Sequence, residues 1–166
     1  DSFFTEHSGP APGRKVKSSL QEMLTVSKRP MFLVGGSGWS QKARANLNSF
    51  VSQYSVPVTV GFRRQDIFDN TNAVFCGALG TSVSPSLLQR IKDVDLLIVI
   101  GSRLGEMTTQ GYEILNDSNH GRKLIHVHVD ANELGAVFSP DLGVVSTVEN
   151  FSEILMGLDF DLDIDW

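Results

Sequence analysis

The sequence predicts an α/β domain, a parallel sheet with helices packed on both of its faces. Two observations carry this. Short strand-like runs alternate with stretches of helical periodicity along most of the chain. Two of the runs, Met31–Val34 and Leu96–Ile100, are wholly apolar, as strands buried on both faces are. Glycine-rich segments follow each of these two runs, and in a parallel sheet that is where ligands bind.

The elements follow in order. Residues Asp1–Arg14 are polar and centred on Gly9-Pro10-Ala11-Pro12-Gly13, so 1–14 reads as a linker or arm. Val16, Leu20, Met23 and Leu24 share one helical face over Val16–Val26, and Arg29-Pro30 ends that helix. Met31–Val34 is a strand, followed at once by Gly35-Gly36-Ser37-Gly38. Gln41–Tyr54 is a helix with Ala43, Leu47, Phe50, Val51 and Tyr54 on its apolar face. The β-branched run Val56–Val60 is a second strand, with Pro57 tolerated near its start. Gly61–Ser84 is a long connection with a short strand near Ala73–Cys76. Ser84-Pro85 supplies an N-cap and a first-turn proline for a helix running to Lys92. Asp95–Ile100 and Leu124–Val129 are strands, and Val144-Val145 marks another. Val148–Leu158 closes the domain with a helix. The tail, 159–166, alternates Asp with Phe, Leu and Ile and reads as a solvated exit linker. The domain therefore spans 15–158, and a start at Asp1 in place of Met predicts a piece of a larger protein.

Composition narrows the function. The formal charge is −5 and no basic stripe is visible, which argues against a nucleic-acid partner. The single cysteine, Cys76, excludes an internal disulfide and a multi-cysteine zinc site. No apolar run approaches the roughly 18 residues of a membrane span and no signal peptide is evident, so the expected location is cytoplasmic and away from membranes.

The candidate site residues cluster at strand ends. Gly35, Gly36 and Gly38 sit between a strand and a helix, where backbone N–H groups and the helix dipole favour an anion by about 0.3–1 kcal/mol. The run is not a full G-x-G-x-x-G, because Gln41 stands at the third glycine position, and it also suits a turn that binds nothing. An NAD site would place an acid at the end of the second strand, but Gly61-Phe62-Arg63-Arg64 stands there. Arg63 suits a phosphate, or an ion pair with Asp66 or Asp69. Gly101-Ser102-Arg103-Leu104-Gly105 is a second glycine-flanked turn, in which Arg103 either meets a ligand or pairs with Glu106. His126, His128 and Asp130 alternate onto one strand face, a zinc-like spacing. His7 and His120 lie in linker-like segments, so buried or inter-strand histidines are the better reading and no metal is expected. Cys76 lacks a histidine partner and no carboxylate pair stands out, so no catalytic residue is assigned.

Taken in order, these segments resemble the central domain of thiamine-diphosphate-dependent enzymes, the acetolactate-synthase-like group above all. The resemblance runs over Pro30–Leu155. It rests on Pro30–Gly38, Phe62-Arg63-Arg64-Gln65, Gly77-Ala78-Leu79-Gly80, Asp95–Arg103, Leu124–Asp130 and Glu133-Leu134-Gly135. It implies a three-layer Rossmann-like domain with a parallel sheet of about six strands, set between two thiamine-binding domains of a homo-oligomeric parent. It further implies FAD in this domain, as in the acetolactate synthase branch, or ADP, as in oxalyl-CoA decarboxylase, or no ligand at all. By position, Gly35, Gly36 and Gly38 would meet the diphosphate, Arg103 in its Gly101-Ser102-Arg103 turn the nucleotide, and Asp130 the adenosine end. Three positions depart from FAD-binding members. Leu79 stands for a histidine, His128 for an acid, and Ser146-Thr147 for a Gly-Asp pair. Thiamine diphosphate and Mg are expected in the parent enzyme only, because the chain contains no Gly-Asp-Gly motif. The expected function is a scaffold domain of a 2-oxo acid decarboxylase or carboligase, inactive alone. Two other readings stay open, a stand-alone NAD-dependent enzyme of sirtuin type and a ligand-free interaction module.

Overall fold

A computed structural model describes residues 10–115 and 121–166. His7, the first nine residues of the expected arm, and His120 lie outside the described residues. Twelve elements follow in chain order: α1 (Arg14–Val26), β1 (Pro30–Val34), α2 (Gln41–Tyr54), β2 (Val58–Val60), β3 (Phe75–Ala78), α3 (Pro85–Asp93), β4 (Leu96–Ile100), α4 (Glu106–Thr109), β5 (Lys123–His128), a 3-10 turn (Ala131–Glu133), β6 (Leu142–Val145) and α5 (Val148–Met156). The strands form one six-stranded sheet, all parallel, in the order β3-β2-β1-β4-β5-β6. This is the doubly wound order, in which the chain reverses direction across the sheet between β1 and β4.

The period of two along each strand sorts the core into two layers. Phe32 and Val34 of β1, with Leu96, Ile98 and Ile100 of β4, pack under α1, α2 and α5. Met31 and Leu33, with Leu97 and Val99, pack under α3 and the segment that carries Leu104 and Ile114. Both β1 and β4 are buried at every residue, as their unbroken apolar sequences predict.

Local signals set the helix starts. Ser40, Ser84 and Thr147 each accept a hydrogen bond from the backbone N–H three residues on, and Pro85 opens α3. Each such cap contributes about 1 kcal/mol. Strand β3 lies slightly later than its composition suggests, at Phe75–Ala78, with an irregular register against β2.

Both ends of the described residues contact the body of the domain. The Pro10 carbonyl accepts from Thr147 N (3.0 Å) and Asn150 Nδ2 (3.1 Å), which ties Pro10 to the start of α5. The tail was expected to be solvated, yet it runs back along the body. Phe160 stacks on Tyr54 at 4.9 Å between ring centres, and Leu162 is partly buried against the core. Asp163 pairs with Lys28 (2.7 Å) and Asp165 with Arg29 (3.2 Å). Trp166 Nε1 donates to the Pro30 carbonyl at 3.0 Å, and the Arg90 guanidinium lies 5.1 Å from the Trp166 ring centre. The alternation that looked like an exit segment sends apolar side chains inward and acids out to two cations.

Candidate functional site

The chain reversal between β1 and β4 brings two glycine turns together. The turn after β1 begins with Gly35, whose N–H donates to the Ile100 carbonyl at 3.0 Å. Gly36 adopts φ +68°, and a Cβ added there would lie 1.9 Å from the Gly101 carbonyl oxygen. The two turns therefore touch through backbone alone, which only glycine at position 36 permits. Trp39 Nε1 donates to the Gly35 carbonyl (2.8 Å) and holds the first turn from beneath.

Above these turns lies a cleft of about 1140 Å³. Its floor is Gly36, Ser37 and Gly38 from the first turn and Gly101–Arg103 with Gly105 from the second. One wall carries Phe62, Glu106, Met107 and Thr108, and the opposite wall carries His128, Val129 and Glu133. Ser146–Asn150, at the start of α5, close the end. Met107 and Val129 are 44% and 54% exposed, so the cleft presents apolar surface to a ligand. Gly38 and Gly105 have no atom within 4 Å of an added Cβ, which leaves their backbone open to the cleft.

The residues singled out in the sequence divide sharply. Gly36, Gly38, Gly101 and Arg103 line the cleft. Gly35 sits directly beneath it, bonded to β4 and Trp39. Arg103 reaches Glu133 (3.6 Å) in place of the expected Glu106 and remains 72% exposed at its side chain. Arg63 does not line the cleft. Its backbone takes φ +57°, and its guanidinium lies back over the Phe62 ring at 5.0 Å. It is the neighbouring Arg64 that pairs with Asp66, at 3.1 Å. Asp130 also stays out of the lining, because its carboxylate caps the 3-10 turn by accepting from Asn132 N and Nδ2, both at 2.9 Å. Leu79, where the resemblance leads one to look for a histidine, is buried in the core under α3.

Sequence reasoning missed Glu149 and the apolar pair Met107 and Val129, and it gave Glu133 no role of its own. Each comes from a segment whose position depends on packing far away in the chain.

His126 and His128 do not form a ligand pair. The His126 ring is buried, and its Nε2 donates to the Ser102 carbonyl at 2.8 Å, which supports the turn from below. Its Nδ1 has no partner. His128 Nδ1 accepts from the Asp130 N–H at 3.1 Å. Burial lowers the His126 pKa below the ordinary 6.5, outweighing the hydrogen bond to Ser102 and the nearby Glu133, with His128 lowering it further. The unfolded chain therefore takes up a proton at His126 before the folded chain does. Stability is expected to fall as pH drops below about 6.5. Urea midpoints at pH 7.5 and 5.5 would measure this, and the drop should be smaller in His126→Gln, which keeps a donor for Ser102.

The order of strands, the paired glycine turns and the open cleft define a Rossmann-like α/β domain. Comparison with known proteins makes this specific. The family described as "Thiamine pyrophosphate enzyme, central domain" matches residues 18–155, and the chain belongs to that family. It is 26% identical over 138 residues to the acetolactate synthase large subunit of Cyanidium caldarium, covering 83% of this chain and 23% of that protein. It is 28% identical over 142 residues to glyoxylate carboligase of Escherichia coli O157:H7, covering 82% of this chain and 23% of the carboligase. Its fold resembles an X-ray structure of an enzyme from Mycobacterium smegmatis assigned to the thiamin diphosphate-dependent class. The TM-score is 0.73 at 19% identity, over 95% of this chain and 30% of that one. The chain thus spans about a quarter of the length of the curated relatives it matches. Among the described residues, no helix is long and apolar enough to cross a membrane.

Proposed function

We propose that this chain is the middle, non-catalytic domain of a thiamine-diphosphate-dependent enzyme that decarboxylates or ligates 2-oxo acids, and that its cleft holds an adenine nucleotide, FAD or ADP. The observation that carries the nucleotide reading is the meeting of the Gly36 and Gly101 turns at the reversal point of the sheet, beneath a cleft open to solvent.

The residues present suit such a group. The open backbone at Gly38 and Gly105 admits a close-lying chain of atoms, Arg103 offers a guanidinium to a phosphate, and Met107 and Val129 offer apolar cover to a flat ring. Thiamine diphosphate, with Mg, supplies the carbanion chemistry in the flanking domains of the parent. This chain contributes position and rigidity, and assembly of the parent into a homo-oligomer places those domains around it. The stand-alone NAD-dependent reading gains nothing from the cleft, because no acid follows β2 where a ribose partner belongs.

Titrating the 166-residue chain with ADP and with FAD by calorimetry tests the proposal. One-site binding that weakens on Arg103→Ala is the expected result. Absence of binding by both nucleotides to the folded chain leaves the ligand-free interaction module. Turnover of a 2-oxo acid by this chain alone would overturn the non-catalytic assignment.

A further inference from the structure

The cleft carries an acid, Glu149, in the first turn of the helix that closes its end. Helix α5 starts at the cleft, with Ser146–Asn150 in the lining, so its N-terminal N–H groups and positive dipole end face the cleft. Glu149, in the first turn of α5, lines the cleft and bonds to the hydroxyl of Ser40, the N-cap of α2. The same Ser40 Oγ accepts from Ala43 N at 3.1 Å, so Glu149 is coupled to the start of α2 through its cap. Lys42, in the first turn of α2, is bonded to Glu153 one turn further along α5 and is also attracted by Glu149. Two more acids, Glu106 and Glu133, line the cleft. Arg103, the cation among the described lining residues, is already shared with Glu133.

We infer that Glu149 acts as a built-in competitor for phosphate, setting how tightly the cleft holds the diphosphate part of a nucleotide while leaving the nucleoside part unaffected. The inference rests on the nucleotide reading of the cleft. The physical reason is that a carboxylate and a phosphate seek the same helix end, and two like charges there repel. Glu149 is thus a specificity-determining residue. It lowers the affinity of the cleft for the diphosphate of ADP or FAD, and its neutralisation should raise that affinity.

The test uses Glu149→Gln, whose amide oxygen can still accept from the Ser40 hydroxyl, so the α2 cap and the contact between α2 and α5 persist. Binding of ADP and of adenosine is measured by calorimetry on both proteins, with far-ultraviolet circular dichroism to verify folding. The expected result is an ADP affinity about tenfold higher in Glu149→Gln, with adenosine affinity unchanged. A merely structural role would move both ligands together. Glu106→Gln removes an acid elsewhere in the cleft and should give a clearly smaller gain for ADP. Equal ADP affinity in wild type and Glu149→Gln, or an equal gain in Glu106→Gln, overturns the inference while leaving the nucleotide cleft standing. Failure of both proteins to bind either ligand overturns the nucleotide reading and this inference with it.

Discussion

Replacing Gly36 with alanine is expected to destabilise the domain by about 3–5 kcal/mol, more than most point substitutions. Two costs combine. At φ +68° a side chain is strained by about 1–3 kcal/mol wherever it sits. The added Cβ would also lie 1.9 Å from the Gly101 carbonyl oxygen, so the two turns must separate. Neither can yield easily, because Gly35 N is bonded to Ile100 and the Gly101 N–H donates to Val127 at 2.9 Å. Gly38→Ala is the matched control. It carries a similar φ of +83° but nothing within 4 Å of the new atom, so its loss should stay near about 1–3 kcal/mol. Urea denaturation of the two variants checks this. Equal losses would mean that strain alone decides the effect and that the contact between the turns contributes nothing.

The second large effect is expected at the opposite end of the same strands. The Asp95 carboxylate accepts from Ser27 Oγ, from Lys28 N at 2.8 Å and from Arg29 N at 3.1 Å. It clamps the turn between α1 and β1 to the start of β4. The Asp95 carbonyl also accepts from Lys123 N at 2.7 Å, which fastens the entry of β5. Asp95→Ala should cost about 2–4 kcal/mol, since three donors lose a charged acceptor together and Ser27 is almost fully buried. Asp95→Asn retains one acceptor oxygen and should lose roughly half as much. A change below about 0.5 kcal/mol for Asp95→Ala, measured from the urea midpoint, would show that water replaces the clamp at no cost. The clamp also matters for the cleft. It helps set β1 and β4 side by side, with Pro30 opposite Leu96 and Val34 opposite Ile100, and that register delivers the two glycine turns to the same height.

Much of this fold was legible before any coordinates. The unbroken apolar runs of β1 and β4 announced strands buried on both faces, because a one-sided strand alternates. Ser84-Pro85 marked the start of α3, since its capping chemistry is local. The glycine turns were legible for the same reason. What remained hidden depended on distant partners. Arg63 and Asp130 were sensible choices by residue type, yet a left-handed turn folds one back over Phe62 and a local cap occupies the other. Glu149 carried no signal at all, since its meaning comes from Ser40, 109 residues earlier. The tail read as solvated because Lys28, Arg29 and Tyr54, which receive it, lie more than a hundred residues away.

By itself the sequence determined the class of the domain, the kind of each main element and the strand ends that build a site. These rest on periodicity, capping and backbone freedom, which act within a few residues. Only the tertiary structure decided which side chains face the cleft, what charge they bring to it and how the tail is held. Those outcomes depend on pairings between segments far apart in the chain, and such pairings exist only once the sheet has brought them together.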